Sequence, residues 1–556
     1  MAFDDLAPEW WPFSAGTSAI IGILTVYLLA YQLSSRKLDP REPPIVAPAI
    51  PFIGHLLGMA LLGGRYIKNL GIRHRTLPIF TLPVPGSRIY IVADPSLAAA
   101  VQRASRVLSF TPIIPEVTER VLGLDAATMA ITCKNLDPAP GEERGFLADI
   151  QDMVYAWLGP GEYLSELSLD AANEMRDEIA AYAAGSSVGN GKPTDLLAWV
   201  RHLVTVSTAK YLYGPENPIA LDPSLEGAFW DFDHGLGSLL MNIVPSITAK
   251  RAYEGRERLS AALLEYLQEN RQATGSKIVR KRVEIALEHG WTIPAIAREE
   301  LSFLFAGIVN ATTSTFWILV QIYADPALLA AVRREVGMVL ESLTRPTHHT
   351  DTSTPDNSTK FRLRVEDLRN NCPVLVAVYR ECLRLGSDTY STRLVKEDFV
   401  LADRYFLKKN SVVQIAGGVI HADGRIWGSD VEAFNPGRFL DTYDEELHHP
   451  KSALEKQGAP RPKPNNSFHP AAFRAFGGGK TLCPGRHFAM NEILAFVALV
   501  VMQFDMKPAR GDKIEIPQKN DGVLPVHILE PMRPVDVVIS KRDGFPAGKF
   551  DVEFAI

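Results

Sequence analysis

The stretch "AIAREELSFLFAGIVNATTSTFWILVQIYA" constrains the fold of this chain more than any other. Thr292 stands ahead of it as an N-cap, Pro294 suits its first turn, and Asp325-Pro326 stops it. A run of about 30 residues predicts a helix roughly 45 Å long, and helices of that length often cross the centre of a domain. Around it, amphipathic stretches dominate from Pro95 to about Leu343, broken at "LGPGE" and "YGPEN". "PIFTLPVPGSRIYIVAD" alternates about a Pro-Gly turn and reads as a hairpin. The short segments "STRLVKEDFVL", "SVVQIAGGVI", "VHIL" and "VDVVIS" suggest small sheets. The expected class is mainly α with small β-sheets. "LTRPTHHTDTSTPDNSTKF" has little to bury and reads as a surface insertion or disordered loop.

With 556 residues, 46% of them hydrophobic, the chain can bury a large core as one big helical domain with a satellite, or as several average domains. The formal charge of -6 is mild and the basic residues are scattered, so no nucleic-acid partner is expected. Cys133, Cys372, Cys382 and Cys483 are too few for a disulfide scaffold and lack C-x-x-C spacing, which favours a reducing, cytosol-facing body. From Phe13 to Leu33 the chain carries no charge, matching the ~20 residues of a membrane-spanning helix. Asp4, Asp5 and Glu9 precede it and Arg36, Lys37 and Arg41 follow, so the positive-inside rule puts the body in the cytoplasm. A cleaved signal peptide expects a positive n-region and a shorter apolar core. Residues 1–35 are therefore expected to be a retained single-pass anchor. "DPREPPIVAPAIPFIGH" makes residues 36–55 a Pro-rich, semi-rigid linker, leaving 56–556 as the catalytic body.

"FGGGKTLCPGRHFA", Phe476 to Ala489, offers two chemistries. A phosphate loop needs a glycine five residues before the final glycine of its Gly-Lys-Thr, and a strand ahead of it. Here that position is Arg474 and the preceding segment is irregular, so the nucleotide reading fails. Cys483 stands before Pro484 and an apolar helical pattern, which puts it at a helix N-terminus, where the dipole and free amides stabilise a thiolate. Such a thiolate is a nucleophile, with His487 four residues on as the nearest base, or an axial ligand to a flat cofactor that the glycines let approach. The bland alternative is an inert buried cysteine.

The stretch resembles the haem-binding loop of the cytochrome P450 family, Phe-x-x-Gly-x-Arg-x-Cys-x-Gly, with Phe476, Gly479, Cys483 and Gly485 in register. The resemblance implies the P450 fold with an N-terminal transmembrane helix, haem b as cofactor, and Cys483 as the thiolate ligand of its iron, favouring O–O cleavage. The pattern's arginine is Thr481 here, which removes a propionate contact, and Lys480 is the candidate substitute. By the same resemblance Glu381 and Arg384 in "YRECLRLGS" and Arg438 in "FNPGRF" form a structural network, and Arg393 meets a haem propionate. Glu366 and Arg369 repeat the Glu-x-x-Arg spacing but stand in the wrong order along the chain. No clear Trp-x-x-x-Arg propionate motif is present.

Aligned on Ala306-Gly307, "FAGIVNATTSTFW" puts Val309 where the family's oxygenases carry an acid and Asn310 where they carry an alcohol. An asparagine donates hydrogen bonds and orients water but is no general acid. Thr312 and Thr313 are the alternative donors, with back-bonding to the helix as the plain reading of Thr313. Asparagine here is similar to the branch holding sterol hydroxylases and an isomerase of peroxides. Two activities follow: monooxygenation with NADPH-cytochrome P450 reductase, cytochrome b5 being a second donor, or isomerisation of an activated substrate without a reductase. Phe305, Ile308, Val309, Val523 and Leu524 match the family's substrate-contacting regions and suit a lipophilic ligand. The likeness to fungal microsomal members implies secondary-metabolite chemistry at the endoplasmic reticulum membrane.

Overall fold

The computed structural model describes residues 22–29, 32, 39–139, 141–185, 191–343, 360–440, 467–543 and 550–554. Most of the expected anchor lies outside them; residues 22–29 are helical and expose Ile23, Leu24 and Val26. The bulk of the polar insertion, residues 344–359, also lies outside, and its flanks Glu341–Leu343 and Lys360–Arg364 pair antiparallel. Among the described residues one helix, Ile293–Ala324, is long and apolar enough to cross a membrane, and it is mostly buried inside the protein.

That central helix starts where Thr292 accepts a hydrogen bond from the Ala295 amide at 3.4 Å, and it ends at Asp325, whose carboxylate caps the next helix, Pro326–Val339. Its N-terminal half, with Ile296, Leu301, Leu304, Ile308 and Val309, packs into one core with Phe146, Phe229 and Trp291. Its C-terminal half, from Phe316 to Tyr323, packs into a second core with Leu375, Val378 and the cysteine helix, Arg486–Gln503. The cysteine helix is buried on every side from Asn491 to Gln503, as an all-round apolar helix must be. Two of its buried polar side chains reach neighbouring helices: Asn491 Nδ2 donates to Ser168 Oγ at 3.1 Å, and Tyr211 donates to Glu492 at 2.9 Å.

The largest sheet contains β1 (Ile79–Val84), β2 (Ser87–Val92), β3 (Leu108–Ser109), β4 (Tyr390–Val395) and β5 (Val412–Ala416), in the order β1-β2-β5-β4-β3. β1 and β2 are the expected hairpin, turning at Pro85-Gly86 so that Val84 pairs with Ser87. β5 runs parallel to β2 and antiparallel to β4, which sets Arg393 opposite Val413. Two expectations change here. Part of the Pro-rich linker is docked: Thr81 donates to Pro44 O at 2.8 Å and accepts from Val46 N at 3.0 Å, so residues 43–46 extend the edge of β1. Prolines suit such an edge because they carry no N–H to leave unpaired. "VHIL", residues 526–529, is loop rather than strand.

The Glu381, Arg384 and Arg438 cluster lies between the helix Pro373–Gly386 and the short turn Pro436–Phe439. Arg384 binds Glu381 through two hydrogen bonds, 2.8 and 2.7 Å, and also donates to the carbonyls of His421 and Val431. Arg438 Nε approaches Glu381 at 3.2 Å while its other nitrogens hold Asp430. Glu381 is fully buried and Arg384 is 1% exposed, so the charges are matched where no water reaches. The repeated spacing at Glu366 forms no such pair; Arg369 donates to Asn370 instead.

Arg384→Ala leaves Glu381 with one cation and unfilled acceptors, a loss of about 3–5 kcal/mol; the expected result is a sharp drop in folded protein by expression yield and thermal denaturation. Burial pushes the Glu492 carboxyl from 4.5 up to about 8 against the pull of Tyr211. A carboxyl raised on folding contributes stability that is present below its unfolded value and lost as pH rises through its folded value. Glu492→Gln should therefore match the parent near pH 4.5 and exceed it in Tm above about pH 8.

Candidate active site

The loop before the cysteine helix is closed by a hydrogen bond from Cys483 N to Phe476 O, 2.9 Å. Gly479 has φ of 64°, the left-handed region that favours glycine. Gly478 is needed for space: a Cβ there would stand 2.1 Å from Gln102 Nε2 and 2.9 Å from Arg474 Nη1. From outside, Tyr155 donates to Leu482 O at 2.6 Å, with Lys480 O 3.0 Å away. The following helix begins at Arg486, two residues later than Pro484 suggests, because Pro484-Gly485 form a turn. Burial raises the Cys483 thiol, while the Gly485 and Arg486 amides and the Arg486 guanidinium pull it down. His487 stands outside the cavity lining, which removes the base that a nucleophile reading requires.

Cys483 lines a cavity of about 570 Å³ that opens at the junction of the two cores. Phe476 and Gly485 line it with the cysteine, and Arg393 enters from β4. The central helix contributes Ala306, Gly307, Asn310, Ala311 and Ser314, the single face defined by steps of three and four residues. Asn310 Oδ1 accepts from the Ile528 amide at 3.0 Å, which leaves its NH2 group for the cavity.

Several expected contacts fall elsewhere. Ile308, Val309, Thr312 and Thr313 are fully buried on other faces of the same helix, and Thr313 donates to Val309 O at 3.2 Å. The apolar residues therefore serve as core, and the threonines are turned from the cavity. Phe305 packs edge-on against Phe232 and His527 without lining the cavity. Val523 and Leu524 are both 44% exposed at the surface. The same loop reaches the cavity three residues later through Val526, His527 and Ile528, and Phe110, Val154 and Phe303 complete the apolar wall. Sequence pattern did not mark these residues for the cavity, since the alternation of 526–529 points to a strand and carries no sign of what a loop there would face.

The charges at the cavity edge are unusual. Arg393 donates to Thr392 O at 2.7 Å and to Thr481 Oγ1. Arg474 donates to Ser391 Oγ at 2.9 Å, and its Nε has no partner. The two arginines are 3% and 2% exposed, and among the described residues neither meets a carboxylate. Burial pushes both guanidiniums down to about 10, and Arg393 adds its own repulsion on Arg474. Lys480 points away, into an exposed cleft beside Arg103 and Asp403, and does not fill the place left by Thr481. A soft sulfur on the cavity floor, an uncompensated Arg393 at its edge and Arg474 behind the lining residue Ser391 are the donor set that an iron macrocycle bearing carboxylates requires, so the residues fit haem.

The family model described as Cytochrome P450 matches residues 236–531. The chain is 31% identical over 537 residues to the cytochrome P450 monooxygenase nodJ of Hypoxylon pulicicidum, covering 96% of each chain. It is 28% identical to a cytochrome P450 monooxygenase of Gibberella zeae, covering 85% of this chain and 83% of the other. The crystal structure of the cytochrome P450DA heme domain superposes with a TM-score of 0.61 at 17% identity, covering 92% of this chain and 100% of that one, which supports the fold. The chain belongs to the cytochrome P450 family and is a haem-dependent monooxygenase, an oxidoreductase.

Proposed function

We propose that this enzyme is membrane-anchored and hydroxylates or further oxidises a lipophilic small molecule of secondary metabolism, using dioxygen and electrons passed from NADPH by a cytochrome P450 reductase, with cytochrome b5 as a second donor. The observation that carries the proposal is one cavity with Cys483 on its floor, Asn310 on its wall and apolar side chains between them. Haem, when bound, supplies oxygen activation. Cys483 ligates the iron through sulfur, and the Gly485 and Arg486 amides stabilise its negative charge. Arg393, held by Thr481, takes a haem carboxylate. Phe476, Gly479 and Gly485 shape the loop that the cofactor covers.

Asn310 is no general acid, so its role is to orient water: the Ile528 amide fixes the carboxamide oxygen and the NH2 group donates into the cavity. Protons then travel through that water. Phe110, Phe303, Val526 and Ile528 keep bulk solvent out and favour an apolar substrate.

Residues 1–35 form the anchor in this reading, and the chain is docked on the body by Arg41, whose carbonyl accepts from the Phe406 amide at 3.1 Å. Support for a membrane-facing side comes from three neighbouring apolar segments. Ile53, Leu57 and Leu61 belong to or flank the helix Gly54–Leu62, Met241 ends the helix Leu236–Met241 and Ile243 and Ile247 follow it, and Val523 and Leu524 lie between them. Gly64 N donates to Val523 O at 2.9 Å, and a Cβ on Gly237 would stand 4.0 Å from Leu524. The body would lie on the cytosolic side of the endoplasmic reticulum membrane.

Under CO, NADPH with a microsomal reductase should give the same ferrous-CO spectrum as a chemical reductant. Development of the band with the chemical reductant alone, across a panel of lipophilic ligands, would move the assignment to an isomerase that needs no reductase. Cys483→Ser should lose the thiolate-type Soret band in the ferrous CO complex. Asn310→Thr should keep turnover and raise product formed per NADPH consumed; abolished product would make the amide itself indispensable.

A further inference from the structure

Behind the cavity wall stands a cation that the expected residues do not account for: Arg474 does not itself line the cavity, but its neighbours Ser391, Ala475 and Gly477 do. Arg474 is two residues before Phe476, and its buried side chain runs from Gly417, where its Cβ is 3.4 Å from the place a side chain would occupy, to Gly478. One nitrogen binds Ser391 Oγ, the hydroxyl of a residue that lines the cavity. Its Nε has no partner, and neither has the nearby amide nitrogen of Gln102, although both atoms are buried. Both side chains crowd Gly478, which is extended in backbone and therefore glycine for want of space. A second buried cation beside Arg393 is destabilising unless something negative binds there. Among the described residues no acid does, and the neighbouring His421 is held neutral, its pKa lowered to about 3 mainly by burial, while its Nε2 accepts the Arg474 amide.

We propose that Arg474 takes over the carboxylate-binding role that Thr481 vacates, with Gln102 as a neutral donor beside it, so that the two haem carboxylates meet Arg393 and Arg474. This rests on the assignment of haem to the cavity. Thr481 is then a positioning residue: its hydroxyl accepts from Arg393 and donates to Gly478 O at 3.2 Å, tying the Arg393 guanidinium to the loop. The place of the pattern's arginine and the side chain that replaces it differ by seven positions, but the loop folds both ends toward the same edge, closing with Gly477 N on Arg474 O at 3.0 Å.

The test uses the full-length holoenzyme and follows haem loss from the ferric protein to apomyoglobin. Absence of any haem in the purified parent overturns the assignment of the cavity itself and is seen before any variant is made. Arg474→Met should speed haem loss about ten- to a hundredfold, the effect of removing one hydrogen bond to a charged group. Thr481→Arg in that background should restore most of the retention. Reconstitution with haem dimethyl ester separates binding from scaffolding: with the carboxylates masked, parent and Arg474→Met should lose cofactor at the same rate. Equal loss of free-acid haem from parent and variant, or a variant defect as large with the ester as with the acid, overturns the proposal. If Arg474→Met does not accumulate as folded protein, Arg474→Lys, which keeps the charge but loses the planar donor fork, is compared with both cofactors under the same criteria.

Discussion

Burying a guanidinium without a carboxylate is among the least favourable things a fold can do, and this protein does it at one edge of its cavity while avoiding it a short distance away. Around Glu381 the charges close on themselves: Arg384 and Arg438 saturate the carboxylate and spend their remaining donors on backbone carbonyls and Asp430. Nothing is left over for a ligand, and the cluster ties the helix Pro373–Gly386 to the turn that follows the sheet. Around Arg393 and Arg474 the charges stay open, their hydrogen bonds among the described residues going to hydroxyls and a carbonyl. Both clusters are buried, so the contrast lies in charge balance alone. It separates a part of the scaffold from a part of the site.

The cavity owes its place to the central helix. One half of that helix belongs to each core, and at the seam it presents Ala306, Gly307 and Asn310, residues too small or too polar to fill the gap. Small side chains at steps of three and four open a flat wall facing the cysteine loop. The larger neighbours Ile308 and Val309 turn into the core and brace the helix from behind. Asn310 is then fixed from a distant part of the chain by the Ile528 amide, so the orientation of the polar group is decided by a loop more than two hundred residues away.

The cysteine loop was readable because its geometry is local. Its closing hydrogen bond joins residues seven apart, its glycines answer nearby crowding or a left-handed turn, and the helix that follows begins within two residues of where Pro484 suggests. The central helix was readable in length for the same reason, since Thr292 and Asp325 mark its ends by local capping. Its facing was not. The helix is apolar on nearly all sides because both flanks are core, so periodicity carries no mark of which side meets the cavity; Ile308, Val309 and Thr312 lie in the core, and Thr313 bonds back to the helix as its plain reading expects. Val523 and Leu524, expected at the substrate, stand at the surface because a loop can bring residues three apart to the surface and to the interior.

The sequence by itself determined the class of fold and, through its resemblance to a known family, singled out the cysteine that lines the cavity and the charged triad of Glu381, Arg384 and Arg438, since each is marked by spacing along one segment or by the order of segments. Only the tertiary structure decided which residues line the cavity, how Asn310 is aimed, and which cations stand at its edge. Arg474 shows the difference most plainly. In the sequence it is only the residue that rules out a phosphate loop; in the fold it is a buried charge beside another of the same sign, and that fact needs both Ser391 and Arg393, more than eighty residues earlier, to be brought against it. Long-range electrostatics of this kind has no signature in local pattern, because the cost of burying a charge is set by what the rest of the chain packs around it.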